Sequence, residues 1–90
     1  MGEIILNGEK MTDKKVTHQY LKRKLKLPEY YGENLDALWD CLSTESNETN
    51  IIIVNTESIT KNLGFYGESL LHLLLEVCSE NPKITVELRG

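Results

Sequence analysis

Ile51-Ile52-Ile53-Val54 is an unbroken run of β-branched residues. Such residues lose side-chain freedom against a preceding helical turn but pack well on a pleated surface, so the run reads as a strand. It does not alternate with polar residues, which predicts a strand covered on both faces. Strands of that kind belong to parallel sheets whose connections are helical.

The rest of the chain supplies what this strand requires. A first strand is expected near Ile4-Ile5-Leu6, closed by the turn signal Asn7-Gly8. A third, Ile84-Thr85-Val86-Glu87-Leu88, alternates and should leave one face wet. Helical patterns lie between them. Thr12 or Asp13 can cap a helix with Thr17, Leu21 and Leu25 on one face, flanked by Val16 and Tyr20 and ended by Pro28. A second is predicted over residues 33–43, with Asn34 near its cap. A short third follows Thr56 and stops near Gly64, and a leucine-rich fourth covers about residues 67–80, before Pro82. The order βααβααβ predicts one α/β domain over residues 1–90: a small three-stranded parallel sheet packed with helices. The order of strands within the sheet is not readable. Residues 43–50 read as a polar loop, and there is no internal repeat.

With 40% hydrophobic and 27% charged residues, the chain is too apolar for disorder. No stretch is long or apolar enough to span a bilayer, and the N-terminal stretch has no secretory pattern. Two cysteines without metal spacing, Cys41 and Cys78, suit a reduced cytoplasmic setting. Charge is segregated. Residues 1–26 hold seven bases and three acids, whereas residues 27–60 hold seven acids and no Lys or Arg. A surface of that kind repels nucleic acid and attracts basic proteins. The plain alternative is a solvated acidic face that only maintains solubility.

On a helical wheel Leu35, Leu38, Cys41 and Leu42 form the buried arc of the second helix. Glu33, Asp36 and Asp40 share an outward stripe about 60° wide, with Trp39 on the border. The stripe opposes local stability, because like charges at i, i+4 cost about 0.2–0.5 kcal/mol per pair. The helix N-terminus relieves Glu33 and Asp36 but hardly reaches Asp40. Local rules broken in this way mark functional sites. Just upstream stand Tyr30 and Tyr31, residues of the type that anchor interfaces. They can equally pack the turn against the core.

The run Leu27-Pro28-Glu29-Tyr30-Tyr31-Gly32-Glu33-Asn34-Leu35-Asp36-Ala37-Leu38-Trp39-Asp40-Cys41-Leu42 resembles the hallmark segment of the barstar family, intracellular inhibitors of secreted barnase-type ribonucleases. Weaker echoes occur at Leu6-Asn7-Gly8-Glu9, His18-Gln19, Glu68-Ser69, Glu76 and Ile84-Thr85. The resemblance implies a parallel three-stranded fold and a partner that is a basic, guanyl-preferring nuclease. It implies a protein that is a monomer when free, forms a 1:1 complex, and binds neither nucleic acid nor membrane. It further implies that Asp40 takes the place of a substrate phosphate. Asp36 would pair with an enzyme cation, Tyr30 would pack on the catalytic histidine, and Glu76 would meet an arginine at the periphery. Gly32, Asn34, Leu35, Trp39, Ser43 and Thr44 would line the same surface. After the helix the family's best-known member has a glycine and a tryptophan. This chain has Thr44 and Glu45, so a contact there is expected to be lost or replaced. The departure keeps open a second reading, a barstar-like module for another basic protein.

Other chemistry finds less support. Cys41 and Cys78 read as small buried hydrophobes. Glu68, His72 and Glu76 recur every four residues and could ligate a metal, but a wet stripe on a leucine-rich helix explains them as well. Asp36 and Asp40 could serve as acid and base, yet no glycine-rich loop, nucleophile motif or metal motif accompanies them. The expectation is a binding protein with no catalytic residues, metal or cofactor.

Overall fold

The computed structural model describes residues 2–90; Met1, where the reading of the N-terminal stretch begins, lies outside them. Strands β1 (Gly2–Asn7), β2 (Thr49–Val54) and β3 (Ile84–Arg89) form one sheet in the order β1-β2-β3, with every pair parallel. The connections carry a 3-10 turn (Gly8–Lys10) and helices α1 (Lys14–Leu25), α2 (Leu35–Ser43), α3 (Thr56–Leu63) and α4 (Phe65–Glu80). The α/β class and the order βααβααβ are those the sequence predicts.

Register and pleat sort the strand residues. Ile4, Ile51 and Val86 align across the sheet, as do Leu6, Ile53 and Leu88, and side chains two apart share a face. Leu6, Ile51, Ile53 and Ile84 from this face join one buried cluster. Its other members include Tyr20 and Leu21 of α1, Leu38 and Leu42 of α2, Ile59 of α3, and Leu70, Leu74 and Val77 of α4. All four helices therefore pack on the same side. Ile52 faces the other way and lies outside the cluster, yet it is just as buried, with Ile5 and Glu87 as its lateral neighbours. The unbroken isoleucine run thus belongs to the central strand.

The element ends have identifiable causes. Asp13 caps α1 by accepting from the Val16 N–H at 2.8 Å. The helix stops at Lys26, which is left-handed at φ 54°, two residues ahead of Pro28. The residue before a proline avoids helical dihedrals, so the chain has already left the helix. Helix α4 starts two residues earlier than the sequence suggests. Gly64, at φ 60°, serves both as the end of α3 and the start of α4, a conformation L side chains rarely adopt. Gly67 then lets the two helices touch: a Cβ there would lie 2.5 Å from the Ile59 carbonyl oxygen. The expected polar loop is shorter than 43–50. Ser43 closes α2, and Thr49 and Asn50 enter β2, where the Thr49 N–H donates to Lys83 O at 2.9 Å and the Thr85 hydroxyl to Asn50 Oδ1 at 2.9 Å.

Candidate functional site

Helix α2 is fixed at both ends by asparagines. Asn34 is its N-cap: Oδ1 accepts from the Ala37 N–H at 2.7 Å, and the amide donates to Gly32 O at 3.3 Å. At the other end, Asn81 reaches across from the α4–β3 connection. Its buried amide donates to Leu42 O at 2.8 Å and to Glu45 O at 2.9 Å, and its oxygen accepts from the Lys83 N–H at 3.0 Å. These bonds tie the end of α2, where the Leu42 carbonyl also accepts from the Glu45 N–H at 3.3 Å, to the α4–β3 connection.

The helix start corrects one expectation. Glu33 is not part of the acidic stripe. It lies ahead of the cap at φ 55°, a left-handed turn that helical periodicity does not describe. The stripe is therefore Asp36 and Asp40, both exposed. Among the described residues neither carboxylate forms an ion pair. The Asp40 carbonyl accepts from the hydroxyls of Thr44 at 2.7 Å and Ser43 at 3.4 Å. Thr44 thereby folds back on the helix.

The other candidates fall into separate groups. Leu35, Asp36 and Trp39 line a groove of about 510 Å³ between α2 and α4, and Glu76 lies on its far wall. Tyr30 and Thr44 border a smaller hollow of about 200 Å³ beside Cys41. The adjacent tyrosines divide sharply: Tyr30 is 87% exposed and Tyr31 is 5% exposed. Gly32, Asn34 and Asp40 are exposed, and Ser43 is half-buried, but none of the four lines either depression. The acidic segment is not isolated from α1. Glu29 pairs with Lys22 at 3.6 Å, and Lys26 lies in the Tyr30 hollow.

Beneath the surface, His18 joins three elements. Its ring contacts the Tyr31 hydroxyl at 2.6 Å through Nδ1 and the Tyr66 hydroxyl at 2.6 Å through Nε2. A neutral imidazole can donate through one nitrogen and accept through the other, so both contacts are satisfied without a buried charge. Burial pushes the His18 pKa down, against the weaker opposing pull of Glu33. Burial also pushes Tyr31 well above its ordinary value, reinforced by Cys41, Tyr66 and Glu33, and raises Tyr66. Helix α1, the turn before α2 and the start of α4 are thus held by one neutral cluster. The Lys14 ammonium lies 4.6 Å from the centre of the Tyr66 ring, covering that cluster at its edge.

Sequence reasoning missed Tyr66, Asn81 and Phe65. Phe65 is 81% exposed and lines the groove with Glu68 and His72. The bulky aromatic beside Gly64 was a signal for it; no local pattern announces the other two. Cys41 and Cys78 are free and half-buried, and burial raises the Cys41 thiol, assisted by the charges of Asp40 and Glu45. No group of three or more His, Cys, Asp or Glu that could hold a metal occurs among the described residues. None of the helices there is long and apolar enough to cross a membrane. What the arrangement offers is an exposed anionic and aromatic surface on a fixed helix.

The family model described as Barstar (barnase inhibitor) matches residues 1–89. The chain is similar to the Bacillus subtilis (strain 168) protein named "Putative ribonuclease inhibitor YrdF", with 38% identity over 81 residues, or 89% of each chain.

Proposed function

The chain belongs to the barstar family, and from that premise we propose that it is a cytoplasmic inhibitor of a barnase-type ribonuclease. Asp40 enters the cleft that holds substrate phosphate. It offers an anion without a cleavable bond. Asp36 meets a second enzyme cation, Tyr30 packs on the catalytic histidine, and Glu76 supports an arginine at the margin. Gly32, Asn34, Leu35, Trp39, Ser43 and Thr44 complete the contact. The partner binds one copy of the chain, and the chain itself catalyses nothing.

The observation that carries this reading is the pair Asp36 and Asp40, exposed and without an ion-pair partner among the described residues, on a helix fixed at both ends. Two unpaired carboxylates one turn apart lower helix stability and raise affinity for a concentrated positive charge. A ribonuclease site is built to hold phosphate and supplies that charge. Long-range attraction speeds encounter, and salt screens it.

The test is titration of the chain into a barnase-type, guanyl-preferring ribonuclease while RNA cleavage is followed. Stoichiometric loss of activity is expected. Asp40→Ala should weaken the complex by about 2–5 kcal/mol, a range general to truncated charge pairs, for which the family's own complex is a standard example. The fold should remain as stable or gain about 0.2–0.5 kcal/mol. An Asp40→Ala chain that inhibits as tightly as the parent refutes the phosphate assignment. A parent that inhibits no ribonuclease moves the function to another basic protein.

A further inference from the structure

We propose that the Phe65–Glu68 end of the α2–α4 groove receives an arginine side chain of the protein partner, a position separate from those that Asp36 and Glu76 serve. The proposal rests on the functional reading above and adds a specificity element to it. The groove, at about 510 Å³, is larger than one side chain fills. Trp39 on α2 and Phe65 on α4 give it aromatic surface, and Asp36, Glu68 and Glu76 give it three carboxylates. Among the described residues lining it there is no Lys or Arg. Phosphate-bearing partners are repelled by such a lining.

Phe65 is the feature that demands an occupant. It is the first residue of α4 and 81% exposed, whereas Gly64 already makes the turn that starts the helix. The phenyl ring is not packed against the core and leaves apolar surface in water. Glu68 follows three residues later, so both side chains stand on the same face of α4. A ring next to a carboxylate suits arginine better than lysine. The planar guanidinium stacks on an aromatic face while its fork pairs with a carboxylate, and it sheds water more readily than an ammonium. The groove is continuous with the acidic stripe of α2 through Asp36 and Trp39. One basic partner surface can therefore reach both.

Trp39 is the chain's only tryptophan, so its fluorescence reports on the groove directly. The experiment titrates a capped tri-arginine peptide into the full chain. A saturable fluorescence change is expected, weakened at least fivefold by Phe65→Ala and by Glu68→Gln. Glu57→Gln, an exposed carboxylate on α3 that lies outside both the groove and the proposed ribonuclease contact, should leave it unchanged. A capped tri-lysine peptide should bind several-fold more weakly. Circular dichroism confirms that the exposed substitutions leave the fold intact. The proposal is overturned if Phe65→Ala and Glu68→Gln titrate like the parent, or if tri-lysine binds as well as tri-arginine. A parent that binds the peptide as expected yet inhibits no ribonuclease would overturn the functional reading and not the groove's.

Discussion

Acidification should test the buried histidine cluster most directly. His18 is 1% exposed and its two nitrogens are both occupied by tyrosine hydroxyls. Burial lowers its pKa in the folded protein. The unfolded chain takes up a proton near the ordinary value of about 6.5, which the folded chain resists. The contribution of His18 is therefore fully present above that pH and is lost as the pH falls through it. One proton sets the limiting slope at about 1.4 kcal/mol per pH unit. Integrated from pH 7.5 to 5.5, the loss is at most about 1.4 kcal/mol, because titration is only beginning at the upper end. Urea unfolding followed through Trp39 fluorescence across the same range would measure it. His18→Gln, which keeps a donor and an acceptor but cannot titrate, should flatten the dependence. Glu33 favours the protonated ring, so Glu33→Gln should carry the loss to lower pH. A parent whose stability is flat over the window, or a His18→Gln chain with an equal slope, would refute the assignment of the buried neutral ring.

Other substitutions read the same architecture. Asn81→Ala removes two donors to the end of α2, although the Leu42 carbonyl keeps the Glu45 N–H at 3.3 Å; a loss of about 1–3 kcal/mol in urea unfolding is expected. Thr17 is fully buried and its hydroxyl is without a hydrogen-bond partner, so the near-isosteric Thr17→Val should raise stability by about 1 kcal/mol. A destabilised variant would reveal a hydrogen bond to that hydroxyl. With its thiol raised by burial and by Asp40 and Glu45, Cys41 should react with a disulfide reagent at pH 8 more slowly than it does in the urea-unfolded chain.

Legibility followed how far apart in sequence the interacting groups lie. The isoleucine run announced β2, and the asparagine ahead of α2 announced the cap, because both signals are local. The residues alone left open whether Tyr30 and Tyr31 anchor an interface or pack the turn, and the structure gives one to each role, Tyr30 exposed and Tyr31 buried. Glu33 was misplaced because periodicity assumes helical dihedrals, and a left-handed residue just before the cap leaves no trace in composition. Gly67 looked like a helix boundary but serves close packing against Ile59, so α4 began earlier than expected. His18 and Tyr66 meet across 48 positions, and Asn81 reaches Leu42 across 39. Such pairings depend on the sheet's strand order, which the sequence did not disclose. The division of the candidate residues between a groove and a separate hollow required the packing of α2 on α4.

The tie from Asn81 to α2 bears on how the protein is made. A ribosome releases α2 well before β2, β3 and the asparagine that secures the helix end. A nine-residue helix is marginal in water without tertiary support. Nascent chains should therefore carry the acidic segment in a loose form that binds its target poorly. Competence arrives only when the last strand closes against the centre of the sheet. The surface proposed to meet the ribonuclease is thus among the last parts of the molecule to be secured.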